Sequence, residues 1–279
     1  GPPENTLAGH HRLINLIARP SPMNWTSIWF SRKEDAMNDV EWQARVDTAA
    51  LYRLIALEGW DDLVGTHVSS RIPGDEHRFL LNPYGMLFEE ITASSLLAID
   101  LDGNQLTTSH YKFNRAGFTI HSAVHMNRDD AMFVIHLHTD YGVAVSCQED
   151  GLKPLNQTAI AVYSDLAYHD YEGVATNLAE RERIVKDLGA KNAMILRNHG
   201  TMACGPNAGG AWQAIYRLER ACKYQILAES GGATTRSLSV DIIDSRAGTT
   251  STEALTTRGE FIWPALLRKL DRIDKSYRD

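Results

Sequence analysis

The chain has 279 residues, of which 43% are hydrophobic and 23% charged, with a formal net charge of -7 at pH 7. Those proportions suit a folded globular chain and exclude a disordered or low-complexity one. The acidic balance argues against nucleic acid or an anionic membrane as partner, and no apolar run approaches the roughly 20 residues that cross a bilayer.

The sequence begins Gly1-Pro2 instead of with methionine, which points to a trimmed start, with Met23 or Met37 as candidate initiators. Four prolines (Pro2, Pro3, Pro20, Pro22) and the aromatics Trp25, Trp29 and Phe30 read as an irregular arm over residues 1–38. From Asp39 to Leu57 the apolar residues fall at helical spacing, and Gly59 stops that helix. Extended pieces follow at Thr66 to Ile72, Arg78 to Leu81 and Ser95 to Asp100, separated by Pro73-Gly74, Asn82-Pro83 and Asp102-Gly103. That pattern predicts an antiparallel meander.

A second helix is expected from Ala116 to Asn127, then a strand over Ala131 to His138. Thr139 is placed to cap a third helix ending at Cys147. Leu178 to Leu188 reads as helix, Ala193 to Leu196 and Thr201 to Cys204 as strands, and Asn207 to Glu229 as the last long helix. Gly231-Gly232 ends it, and a polar stretch runs on to an apolar segment at Phe261 to Leu270. The expected organisation is one α/β domain over residues 39–232 with a peripheral tail over residues 233–279 that packs on that domain or on a neighbouring subunit.

Chemistry concentrates in the histidines. His136 and His138 are two apart on a strand, so both imidazoles project from one face. His199 sits at the end of another predicted strand, where Gly200 would permit a sharp turn. Three convergent imidazoles with an open position make a first shell for a divalent metal. The alternative is a pair of strand-end histidines and an unrelated turn cap, and spacing leaves both open.

Several segments together resemble one family. Val134-Ile-His-Leu-His-Thr139 and Ile195-Leu-Arg-Asn-His-Gly-Thr201 are similar to the two metal-binding segments of the class II aldolase/adducin family. Gly65-Thr-His-Val-Ser-Ser-Arg71, Asn82-Pro-Tyr-Gly85, the stretch from Ala116 to His125 and Ala167-Tyr-His-Asp-Tyr171 match as well, in the same order. The resemblance covers about Val40 to Gly232 and lies nearer the adducin head and its bacterial relatives than the sugar-phosphate aldolases. It implies an α/β/α sandwich around a mainly antiparallel sheet, assembled as a homotetramer with sites between subunits. It also implies a divalent ion on His136, His138 and His199, zinc first, with Fe2+, Mn2+, Co2+ or Ni2+ as alternatives.

The departures from the aldolase pattern are specific. Gly117 stands where the aldolases carry the glutamate that moves the proton, and Thr158 falls near the position of their proton-donating tyrosine. Their phosphate-holding Ser-Ser pair is replaced around Arg115-Ala116, and their Gly-Asn by His67-Val68. His121 and His67 are therefore the candidate bases. For His121 the competing reading is a hydrogen-bonded helix histidine, and for His67 a structural turn. Arg115 and Asn114 are candidate anchors for a substrate carboxylate, against a surface or intersubunit ion pair. His169 reads as a surface-turn residue.

Cys147, Cys204 and Cys222 form no Cys-x-x-Cys pair and are expected in the core as reduced thiols, which suits a cytoplasmic protein. Gly205 to Gly210 lacks the lysine of a P-loop and reads as a helix cap. The expected function is a metal-dependent lyase that makes or breaks a carbon–carbon bond in a small hydroxy- or oxo-acid or sugar-like molecule. Two alternatives share the fold: an Fe(II) oxygenase or decarboxylase on the same histidines, and a non-catalytic adducin-like interaction protein. Adducins carry a long lysine-tailed extension that the sequence given does not show, which weighs against the last.

Overall fold

The computed structural model describes residues 25–174 and 177–279, with side chains from residue 39 onward except at residue 76. The arm expected over residues 1–38 lies outside those residues up to position 24. The chain divides into two compact units, Gly1–Met37 and Asn38–Asp279. The second unit holds the whole sheet.

The first helix, α1, runs Trp25–Glu58, beginning upstream of the Asp39 expected from periodicity. It ends at Gly59, whose φ of 67° is left-handed, with Trp60 N–H donating to the Ile55 carbonyl at 3.0 Å. The meander follows as β1 (His67–Ile72), β2 (Asp75–Leu81) and β3 (Leu97–Asp100). Then come α2 (Arg115–Asn127), β4 (Phe133–Leu137) and α3 (Asp140–Ser146), the last capped by Thr139 Oγ1, which accepts from Gly142 N–H at 3.0 Å. A short helix α4 (Gln157–Tyr163) and a strand β5 (Leu166–His169), neither anticipated from sequence, precede α5 (Glu180–Leu188). The chain continues through β6 (Ala193–Leu196), β7 (Gly200–Gly205), α6 (Ala208–Glu229), α7 (Val240–Asp244) and α8 (Thr252–Asp271).

The strands form one seven-stranded sheet in the order β3-β2-β1-β4-β7-β6-β5, antiparallel throughout except for the parallel β5–β6 pair. The strand periodicity of two sorts the core into two layers. On one face Val68, Ile135, Leu137 and Ala203 pack under α1, α6 and α8. On the other, Val134, Met194, Met202 and Cys204 meet Ile120 and Val124 of α2 and Ile184 of α5. The expected α/β/α sandwich with a mainly antiparallel sheet is what is observed. The stretch expected as a peripheral tail contains α8, which lies against α6 so closely that neither Gly209 nor Gly259 has room for a Cβ. Among the described residues no helix is long and apolar enough to cross a membrane.

Candidate metal centre and histidine relay

Alternation along β4 decides which side chains can converge. Ile135 and Leu137 are committed to the core beneath α1 and α6, so His136 must face α2. The same argument on β1 commits Val68 to that core and turns His67 and Ser69 toward α2. His67 and His136 are cross-strand partners in the antiparallel β1–β4 pair, and their ring centroids lie 5.1 Å apart.

His138 follows directly on β4, and His199 lies in the turn between β6 and β7. That turn is made by Asn198, whose φ of 56° places a non-glycine residue in the left-handed region. Asparagine tolerates this conformation better than most side chains. Gly200, where the turn is expected from sequence, is required for close approach instead, since a Cβ there would collide with the Leu137 carbonyl oxygen of β4. The turn brings His199 to 4.7 Å from His136 and 4.8 Å from His138 between ring centroids.

The protons of this cluster can be assigned from its partners. His136 Nδ1 lies 3.0 Å from the Thr201 carbonyl oxygen, which can only accept, so this nitrogen carries hydrogen and Nε2 is bare. His138 Nδ1 lies 2.9 Å from Asp62 Oδ2, a carboxylate oxygen that accepts from it. The two Nε2 atoms are 3.0 Å apart, close enough for one cation to be held between or beside them. Burial, with His199, His67 and His138 around it, holds His136 well below the usual histidine range. Burial first, then His138 and His169, lowers His199 to about 4. Candidate ligand atoms of His136, His138 and His199 all lie within 4.8 Å of one another, so the group could hold a divalent metal. Thr201 and Asp62 fix the two ring orientations as outer-shell partners do around such ions.

Behind the cluster runs a buried file of hydrogen bonds. His67 Nδ1 meets His121 Nε2 at 2.8 Å, His121 Nδ1 meets Ser69 Oγ, and Ser69 Oγ meets His125 Nε2 at 2.7 Å. All four residues are at most 1% exposed, so every imidazole in the file is shielded from water. Burial drives His67 and His121 well below their usual range and His125 to about 3, so the file is neutral at physiological pH. His121 is thus a hydrogen-bonded helix histidine, and one that also connects to His67.

A cavity of about 310 Å3 opens onto the cluster, walled by His67, His136, His138, His199, Ile120 and Tyr171, among others. Other sequence candidates lie elsewhere. Asn114 caps α2, its Oδ1 accepting from Ala116 N–H at 3.0 Å, and Arg115 is exposed with its guanidinium 5.5 Å from the Phe113 ring centroid. Neither borders this cavity. His169 is not a surface-turn residue: it is buried on β5, with Nδ1 2.7 Å from Asp187 Oδ2 and Nε2 3.4 Å from Glu180 Oε1. Cys147 is exposed, contrary to the core expectation, because the end of α3 lies at the surface, whereas Cys204 and Cys222 are buried. Sequence reasoning missed Asp62, Ser69 and Tyr171. Ser69 and Tyr171 lie within the motifs that carry the resemblance, but nothing in the spacing marks Asp62, a loop residue 76 positions from His138.

Residues 46–226 match the family described as Class II Aldolase and Adducin N-terminal domain. A Caulobacter vibrioides protein whose name places it in aldolase class 2 is 53% identical over 243 residues, covering 87% of this chain and 95% of that protein. The crystal structure of an aldolase II superfamily protein from Pseudomonas syringae superposes with a TM-score of 0.80 at 44% identity, covering 86% of this chain and 96% of the other. An L-fuculose 1-phosphate aldolase from Glaciozyma antarctica aligns with a TM-score of 0.76 at 25% identity, covering 87% and 94% respectively.

Proposed function

The chain belongs to the class II aldolase and adducin family, and from that premise we propose that it is a metal-dependent lyase acting on a small hydroxy-carbonyl compound. The observation that carries the proposal is the convergence of His136, His138 and His199, whose candidate ligand atoms all lie within 4.8 Å of one another. Zinc is the ion we favour, because three imidazoles with no carboxylate among them suit it better than the two-histidine, one-carboxylate set of Fe(II) oxygenases. Such an ion supplies Lewis-acid polarisation of a substrate's carbonyl and hydroxyl oxygens.

The protein's own residues would handle the proton. Cleaving a β-hydroxy carbonyl compound requires a base for the hydroxyl proton and an acid for the carbon that departs with the bonding pair. His67 is the base we assign. In the polarity where His67 Nδ1–H donates to His121, its Nε2 is free to accept that proton. The three bonds through His121 and Ser69 can then reverse together, carrying charge toward His125. Because burial disfavours every imidazolium in the file, the proton is readily returned to product. Tyr171, on the cavity wall with its ring centroid 6.1 Å from that of His199, offers a second hydroxyl for the departing fragment.

Family membership also supports a homotetramer with sites near subunit boundaries, which sedimentation velocity would test. The three free thiols suit a cytoplasmic location. The activity is tested by following aldehyde release from a panel of hydroxy-acids, ketoses and their phosphates with zinc-loaded protein. Cleavage of at least one class, lost at least 100-fold in His67→Ala with metal content unchanged, is the expected result. Equal turnover by His67→Ala would remove His67 from the reaction.

A further inference from the structure

A second cavity, of about 330 Å3, lies between α4, α6 and the residues after α7, and shares no lining residue with the histidine cavity. Its walls carry Arg217, Arg220 and Arg246, with Tyr216, Tyr224 and Thr158 beside them. Arg220 is occupied: Nη2 donates to the Tyr224 hydroxyl, the guanidinium lies 4.9 Å from that ring's centroid, and Glu58 is near. Arg217 and Arg246 are different. Among the described residues neither side chain makes a hydrogen bond or an ion pair, and Arg217 Nη1 and Arg246 Nε are both buried without a partner.

That arrangement is costly as it stands. Both side chains are half-buried, and a guanidinium nitrogen shut off from water needs an acceptor or a counter-charge, which neither has although both line one cavity. Burial, followed by the charges of Arg258 and Arg246, lowers the proton affinity of Arg217, and no carboxylate is among the causes acting on it. Nor is Arg258 a source of relief: its Nη1 donates to the Thr249 carbonyl at 2.5 Å. The chain has 35 acidic residues against 28 basic ones, so the missing partner is not explained by a shortage of carboxylates.

We propose that this cavity is a binding site for the phosphate group of a small phosphomonoester, held by Arg217 and Arg246. Two unpaired guanidiniums call for about two negative charges, which a phosphate monoester carries near pH 7 and a single carboxylate does not. Arginine presents parallel donors that match phosphate oxygens two at a time. The Thr158 and Tyr216 hydroxyls on the same walls would receive the hydroxyls of the ester's organic part.

Thermal unfolding with inorganic phosphate as the probe, against potassium chloride at matched ionic strength, tests this. Wild-type protein is expected to gain Tm saturably with phosphate, with acetate at least tenfold weaker. Arg217→Gln and Arg246→Gln should each weaken phosphate at least tenfold, while His138→Ala keeps the response. Without phosphate, Arg217→Gln should unfold no lower than wild type, since it removes an uncompensated charge. A response no greater than that to chloride overturns the proposal, as does an equal response in both arginine variants. Dissociation of the assembly by Arg217→Gln with no phosphate response in wild type would overturn it too, assigning the arginines to carboxylates of a second copy.

Discussion

The imidazole of His67 lies directly against Gly117, so that a Cβ built on Gly117 would sit 2.6 Å from His67 Cδ2. The two positions at which the sequence departs from the resemblance to the aldolases thus meet in space: glycine on the helix leaves the room that the ring from the strand fills. In most helix interiors glycine to alanine stabilises by about 1 kcal/mol. Gly117→Ala should do the opposite, destabilising by roughly 1–3 kcal/mol through overpacking and displacing His67 from His121. Denaturant midpoints of the two proteins decide the sign; a stabilised alanine variant would show that the contact yields freely.

Asp62 orients His138 by accepting from its Nδ1 at 2.9 Å. Asp62→Asn keeps the shape but weakens the carboxylate's hold on the ring, and loss of such a partner costs about 10–100-fold in metal affinity. Competition with a chelator of known affinity would measure it. An unchanged dissociation constant would mean that the ring is held by its strand alone.

Ser69 bridges His121 and His125 inside the core. Ser69→Ala strands both imidazole nitrogens away from water, and a loss of about 1–3 kcal/mol in unfolding free energy is expected. Urea denaturation gives the value; a neutral result would indicate that a water takes the hydroxyl's place.

Glu219 of α6 is buried against the hydroxyls of Thr139 and Thr201, and burial raises its pKa from 4.5 to about 7. A carboxyl with a raised folded pKa contributes its full stability below the unfolded value and loses it as pH rises through the folded one. The window is thus about pH 4.5 to 7, with up to roughly 3 kcal/mol at stake. The buried histidines have lowered values and act with the opposite sign, but they are common to wild type and variant. In chelator-treated protein, the Tm difference between Glu219→Gln and wild type should grow in the variant's favour from pH 5 to pH 8. A difference independent of pH would mean that Glu219 is ionised throughout.

Much of this architecture was legible because two periodicities carry it. Alternation over Val134 to His138 placed two imidazoles on one face, and Asn207, Thr139 and Gly59 marked helix ends by their chemistry alone. What stayed hidden depended on distant packing. His169 looked like a turn residue because Asp187 and Glu180, which grip it, come from a helix later in the chain. Strand β5 is four residues long and carries no alternation signal. Asp62 and Ser69 acquire their roles only when the β1–β4 register sets β1 beside β4, and no local pattern encodes that pairing. The unpaired arginines escaped for the same reason: a missing partner can be seen only in three dimensions.

His136, His138 and His199 are proposed to hold one divalent ion. Elemental mass spectrometry on chelator-stripped, zinc-reconstituted protein tests it most directly, alongside His136→Ala, His138→Ala and His199→Ala. One zinc per subunit in wild type, with at most a tenth of that in each variant and all four proteins folded by circular dichroism, is the predicted result. No bound metal in wild type, or equal metal in wild type and all three variants, would contradict it.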